Sequence, residues 1–186
     1  METIRSWKQS LLKTSFVYQY ILEKYKNSLN NCLLVMLIIN SLNAIISGIT
    51  TTTLTVDDAV YKKITLGFNV SILFFNLVNL IAIGYVKQYD LDKMVEKLSI
   101  YIQKIDGLYY KVSGKLILPD NLRGDIDTFI EKENEYYLEL VNDSPDVPNS
   151  YYVEGNKEYL EYLENETKYH QFFDKIKDKD GVIQVI

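Results

Sequence analysis

The chain offers few residues capable of chemistry. One His and one Cys in 186 residues exclude a disulfide framework and nearly all zinc chemistry. His170 lies in an aromatic, acidic stretch with no second ligand at metal-binding spacing, and reads as structural. Cys32 opens a long apolar run and reads as a small apolar side chain, with juxtamembrane palmitoylation as the alternative. Gly107 to Lys115, GLYYKVSGK, has the look of a phosphate loop. However, six residues separate its glycines instead of four, Leu116 stands where Ser or Thr would hold magnesium, and no strand precedes it. Asp57 and Asp58 are adjacent carboxylates of a loop and would hold a cation weakly. The acidic run near the C-terminus has no general-base partner in any recognisable motif and reads as a solvated face. The residues predict no enzyme, no metal and no cofactor.

The polar residues that stand out are amides. Asn40 and Asn43 lie three apart, as do Asn76 and Asn79, with Asn69 seven before Asn76. Such spacings share one helix face. All five fall in uncharged, strongly apolar sequence. No charge occurs between Lys26 and Asp57, or between Lys63 and Lys87. Mean hydropathy over Cys32 to Ile49 and over Leu66 to Val86 is about 2 and about 1.8, in the range of membrane spans. Each run is near the ~20 residues that cross ~30 Å of hydrocarbon. An amide in hydrocarbon needs a partner. The Asn faces are therefore expected to meet each other or a second copy, or to line a polar pore. Ser41, Ala44 and Gly48 form a small-residue stripe permitting close helix approach.

These runs predict a two-span transmembrane hairpin over 31–86, with a loop at about Thr50 to Thr65. The first run begins too far into the chain for a cleavable signal peptide. Lys13, Lys24, Lys26, Lys87, Lys93, Lys97 and Lys104 lie on the terminal side of the spans, against Lys62 and Lys63 in the loop. The positive-inside rule then puts both termini in the cytoplasm, and Tyr61, Tyr85 and Tyr89 suit an interfacial belt. The sequons at Asn142 and Asn165 would then be cytoplasmic and that at Asn69 inside lipid, so no glycans are expected.

Residues 1–30 predict an amphipathic helix carrying Trp7, Leu11, Leu12, Phe16, Tyr20 and Tyr25, either docked or lying in the membrane interface. Beyond the second span the helix is expected to continue over 87–118. There Leu91, Leu98, Ile105 and Val112 recur every seven residues, with Met94, Tyr101 and Leu108 between them. That is a coiled-coil or bundle seam. Pro119 ends it. Residues 119–186 predict a helical domain and tail. One helix runs from Leu122 to Val141 with Leu122, Ile126, Phe129, Ile130, Tyr137 and Leu140 on its apolar face. A Pro-containing loop covers Asn142 to Ser150. A last helix, near Asn156 to Lys177, buries Tyr159, Leu160, Leu163, Phe172, Phe173 and Ile176. The end, DKDGVIQVI, reads as a short edge strand or a sticky tail. The fold class is all-α. Net charge of −5 argues against nucleic acid as a partner. Eighteen Lys against Arg5 and Arg123, with abundant Ile, Asn and Tyr, is the usage of an AT-rich genome.

The arrangement resembles the SLATT superfamily of two-span membrane proteins, most of all the branch encoded by large DNA viruses. Ser6-Trp7 stands where that branch has an acidic residue before Trp, and Tyr18 and Tyr25 fit the aromatic positions that follow. Pro119, Asn121, Leu122 and Arg123 through Phe129 match its Pro, Arg and aromatic-helix pattern. Glu135, Leu138, Ser144-Pro145 and Pro148 match its closing motif. The likeness spans Ser6 to Pro148. It departs at Tyr20-Ile21-Leu22, where the family often has His, and at Gln88-Tyr89-Asp90, where it has an acidic and His run. The resemblance implies a membrane protein of one of two kinds. Bacterial members are regarded as effectors that form pores on a nucleotide signal from a partner sensor. The viral branch lacks that sensor. There the expectation is a structural protein of a virion internal membrane, partnered by the lipid bilayer, by copies of itself and by capsid or other viral membrane proteins. Leu91, Leu98, Ile105, Val112, Arg123, Pro145 and Pro148 are the candidate interaction residues.

Overall fold

The computed structural model describes residues 2–52 and 58–180, and every element among them is a helix. In chain order these are α1 (Glu2–Thr52), α2 (Asp58–Gln88), α3 (Leu91–Ile117), α4 (Asp120–Arg123), α5 (Ile126–Asn142) and α6 (Asn149–Asp180). The chain's three prolines, Pro119, Pro145 and Pro148, all lie outside the helices, as expected for a residue that lacks the N–H and clashes with the preceding turn.

Several boundaries differ from expectation. No break separates the N-terminal helix from the first apolar run, because 2–47 contains neither Pro nor Gly; both belong to α1. The connection between the apolar helices is shorter than Thr50 to Thr65, since α1 runs to Thr52 and α2 starts at Asp58. Helix does not run through from α2 into α3. Tyr89 and Asp90 form a turn, with Asp90 at φ +43°. Asp is among the few side chains that enter this left-handed region readily. Its carboxylate also meets Lys93 Nζ at 3.2 Å. The helix expected from Leu122 is split at Gly124, φ +65°, and restarts at α5. There Asp125 caps the first turn, accepting from Asp127 N at 3.0 Å and Thr128 Oγ1 at 2.6 Å. The last helix starts earlier and ends later than Asn156 to Lys177. The tail reading falls largely on 181–186, outside the described residues.

The residues group into two compact units, Met1–Leu22 with Lys97–Ile186, and Glu23–Glu96. The first is a helical bundle. Ile4, Trp7, Leu11, Tyr18 and Ile21 on α1 are buried, and so are Leu98, Tyr101, Ile105, Leu108 and Val112 on α3. Both sets follow the alternating three- and four-residue steps by which antiparallel or parallel helices interlock. Leu140 on α5 and Tyr159 on α6 complete the core. Each fully buried aliphatic side chain contributes about 1.5–3 kcal/mol. Aromatic contacts fix the helices laterally. Trp7 stacks on Tyr137 with centroids 4.7 Å apart. Tyr18 meets Tyr101 edge-on at 4.8 Å, and Phe16 lies against Tyr159 and Tyr162. Buried Gly155 lets α6 approach α1, since a Cβ there would lie 3.1 Å from Val17 Cγ1. Two apolar residues expected inside are out: Leu122 is 66% and Leu160 64% exposed. Leu160 is displaced by its neighbour Tyr159, which takes the inward position.

The second unit holds the apolar stretches of α1 and α2. An 18-residue window within Glu2–Ile49 reaches mean hydropathy 2.2 with 6% of it buried, and one within Lys62–Ile117 reaches 2.0 with 0% buried. These are two helices long and apolar enough to cross a membrane. A core helix of a water-soluble bundle would have most of that surface covered. What is covered is a narrow seam. Cys32, Met36, Ile39, Asn43 and Ile46 on α1, and Phe68, Ile72, Phe75, Asn79, Ala82 and Val86 on α2, are half-buried or buried at three- and four-residue steps. Around them Leu33, Leu37, Ile45, Leu66, Leu73 and Phe74 point outward, each at least half exposed.

Candidate functional site

The five amides occupy distinct places in the second unit. Asn43 and Asn79 sit in the seam, while Asn40 and Asn76 lie one position off it and are exposed. Each seam amide donates to a flanking amide of the other helix. Asn43 Nδ2 donates to Asn76 Oδ1 at 3.0 Å, and Asn79 Nδ2 to Asn40 Oδ1 at 3.1 Å. The pairing is antiparallel and crosswise. It leaves Asn43 Oδ1 and Asn79 Oδ1 buried with no hydrogen-bond partner among the described residues. Asn69 is exposed and belongs to neither pair. Two hydroxyls in the same stretches bond to their own helices, Ser41 Oγ to Leu37 O at 2.9 Å and Ser71 Oγ to Gly67 O at 3.0 Å. Four amides therefore act as two rungs between the helices, and a fifth faces outward.

The proposed interaction residues divide. Leu91, Leu98, Ile105 and Val112 are 0–2% exposed, so this stripe is covered within the chain itself. Arg123, the last residue of α4, is half-buried. Its Nε and Nη2 donate to Leu118 O at 3.1 and 2.8 Å, and Nη2 reaches Leu116 O at 3.4 Å. It answers carbonyls that the end of α3 leaves without intrahelical donors. Pro148 is exposed, and its carbonyl accepts from Tyr151 and Tyr152 N–H at 3.0 and 3.3 Å, starting α6. Half-buried Pro145 lines a surface hollow of about 410 Å³ with Lys97, Lys104 and Asp143.

A surface hollow of about 670 Å³ lies between α3 and α5. Two of its three lysines are already engaged. Lys111 pairs with Glu133 at 3.1 Å, with Glu133 mostly buried, and Lys115 donates to Arg123 O at 2.6 Å. The hollow thus carries its own counter-charges. Burial raises the phenols of Tyr18, Tyr101 and Tyr159 above 10.0, with Tyr101 pushed furthest by its neighbours Tyr18 and Tyr152. The hydrogen bond from Thr128, helped by that from Asp127 N–H, lowers the Asp125 carboxyl. These shifts have structural causes, and none adjoins a nucleophile–base pair.

No group of three or more metal-ligating residues occurs among the described residues. Gly107 to Lys115 lies wholly within α3, so it is a helix surface and not a loop that could cradle phosphate. The side chain of His170, and Asp57, fall outside what is described. Two features were invisible in the local pattern. Ser15 and Asp106 pair over 91 positions, and Arg5 and Lys8 gather beside Arg123. Only the three-residue spacing of Arg5 and Lys8 could have signalled the latter.

The class that fold and site define is an all-helical protein with two helices apolar enough to cross a membrane, tied by paired amides and joined to a packed helical bundle. Comparison with known protein families, with curated proteins and with solved structures finds no match.

Proposed function

We propose that the chain is a non-enzymatic, two-pass integral membrane protein that anchors its helical unit at a membrane and presents it to protein partners, as a structural component of a large-DNA-virus membrane. The observation that carries this reading is the division of surface on α1 and α2. Apolar side chains face outward almost everywhere, while four of the five amides are spent on each other across the seam. Hydrocarbon favours that arrangement, because it leaves the fewest polar groups to solvate. Both termini are placed on the cytoplasmic side by the excess of Lys flanking the spans. The partner surface is sought on exposed apolar positions such as Leu138, Val141 and Val153, since the α3 stripe is already covered.

The test joins extraction to topology. Carbonate-resistant membrane association, with a reporter inserted at 53–57 appearing on the non-cytoplasmic side, is the expected result. Release of the chain by carbonate, or a cytoplasmic reporter, overturns the reading.

A second reading, an oligomeric pore of SLATT type, is favoured by exposed Asn69 and by the two unfilled seam acceptors, Asn43 Oδ1 and Asn79 Oδ1. Discrete conductance steps in a planar bilayer, lost when Asn40, Asn43, Asn76 and Asn79 are all replaced by Leu, would select it. A silent bilayer with inserted protein selects the anchor.

A further inference from the structure

The first unit carries a groove of about 450 Å³ between the start of α1 and the end of α3. Arg5, Lys8 and Arg123 line it above an apolar floor of Leu12, Leu116 and Ile117, and no carboxylate is among its lining residues. In a chain of net charge −5, this is a local reversal of sign. Its geometry follows from the helices. Arg5 and Lys8 are three apart on α1 and so share a face, with Leu12 one turn further on. Arg123 is held from the other side by its bonds to the Leu116 and Leu118 carbonyls. Like charges at this spacing repel, and neither Arg5 nor Lys8 has an ion pair among the described residues. The contrast with the larger hollow is direct, because there Glu133 answers Lys111. The floor is also open, with Ile117 79% exposed.

We propose that this groove binds a single-chain anionic amphiphile, a phosphate monoester or carboxylate carrying an alkyl chain. The guanidinium of Arg5 and the ammonium of Lys8 hold the anionic oxygens, the first by its planar fork and the second as a point charge. The alkyl chain lies over Leu12, Leu116 and Ile117 and removes their apolar surface from water. The head alone lacks this second contribution, and an uncharged alcohol lacks the first.

The experiment uses the full chain in phosphatidylcholine nanodiscs, titrated calorimetrically with hexyl phosphate, inorganic phosphate and hexanol against empty nanodiscs. Saturable one-to-one binding of hexyl phosphate is expected, about tenfold or more tighter than either control compound. Arg5→Ala/Lys8→Ala is expected to weaken it by about tenfold or more, and Arg5→Lys/Lys8→Arg by less than about threefold. Ile117→Asn should weaken hexyl phosphate while leaving inorganic phosphate unchanged. Unaltered Trp7 emission shows that the variants fold. Equal binding by parent and the double Ala variant, or hexyl phosphate binding no tighter than hexanol, overturns the proposal. Repeating the titration with phosphatidic acid in the nanodisc separates the sources. Persistence of the hexyl phosphate signal is the result expected of a site for a free single-chain amphiphile, and its loss to the two-chain lipid overturns that assignment.

Discussion

Ser15 on α1 donates its hydroxyl proton to Asp106 Oδ1 on α3 across 2.6 Å. Ser15 is buried, 6% exposed, and also accepts from Gln19 Nε2 at 3.2 Å. It is the polar exception on an otherwise apolar face, and hydrogen bonds to ionised groups are worth about 1.5–3 kcal/mol. Ser15→Ala should therefore lower the stability of the helical unit by about 1.5 kcal/mol. Asp106→Asn, which keeps an acceptor, should cost less. Thermal unfolding followed by the emission of Trp7, the sole Trp, reads both.

The amide rungs should show themselves in a double-mutant cycle. Interhelical polar bonds in membranes average about 0.6 kcal/mol and reach about 1.7. Asn43→Leu should cost that much, and Asn76→Leu added to it should cost little more, because the bond is already gone. Reversible unfolding in mixed micelles measures the coupling. Additive costs would show that the rung carries no energy.

Glycines on two helices should respond with opposite sign. At Gly155 an added Cβ would meet Val17 O at 3.3 Å as well as Val17 Cγ1. Overpacking of about 1–3 kcal/mol exceeds the gain of about 1 kcal/mol in helix propensity, so Gly155→Ala should destabilise. At Gly107 and Gly114 on α3 an added Cβ would have nothing within 4 Å, so Ala there should stabilise by up to about 1 kcal/mol. Paired melting curves decide it.

Tyr101 OH donates to Leu140 O at 3.1 Å in a buried site. Tyr101→Phe should cost about 1 kcal/mol near neutral pH. Its phenol is raised above 10.0 in the folded chain, so the unfolded chain loses this proton first as pH rises. Stability from this group is fully present below pH 10 and falls as pH climbs towards the higher folded-state value. The Phe variant should show a shallower alkaline decline than the parent. A decline of equal slope in both would assign it to other phenols.

Much of this architecture was legible in sequence. The uncharged runs marked the two apolar helices, and the three-residue Asn spacings marked amides that could meet. The seven-residue recurrence of Leu98, Ile105 and Val112 marked a seam that is indeed buried. What escaped depends on partners far apart in the chain. Periodicity showed that Leu98, Ile105 and Val112 share a face, yet not that α1 lies against α3 through Ser15–Asp106 and Tyr18–Tyr101. It placed both Tyr159 and Leu160 inside, and of these adjacent residues only Tyr159 is buried. The continuity of α1 was missed because amphipathic and apolar segments differ in composition, while nothing in the backbone between them compels a stop. Of the amides, Asn69 shares the spacing of its neighbours but falls outside the contact, since α1 presents no amide opposite it.

The crosswise arrangement of the four amides has a consequence for assembly. Apolar side chains are poor judges of alignment, because sliding one such helix along the other by a turn exchanges one Leu or Ile contact for another. The bonds Asn43–Asn76 and Asn79–Asn40 are satisfied together in a single offset. A slip of one turn in either direction breaks both, and at best sets one new pair opposite, Asn40 with Asn76 or Asn43 with Asn79, leaving the other two amides stranded. The pair of rungs thus works as a two-digit combination, telling the correct mating of the helices from every neighbouring one.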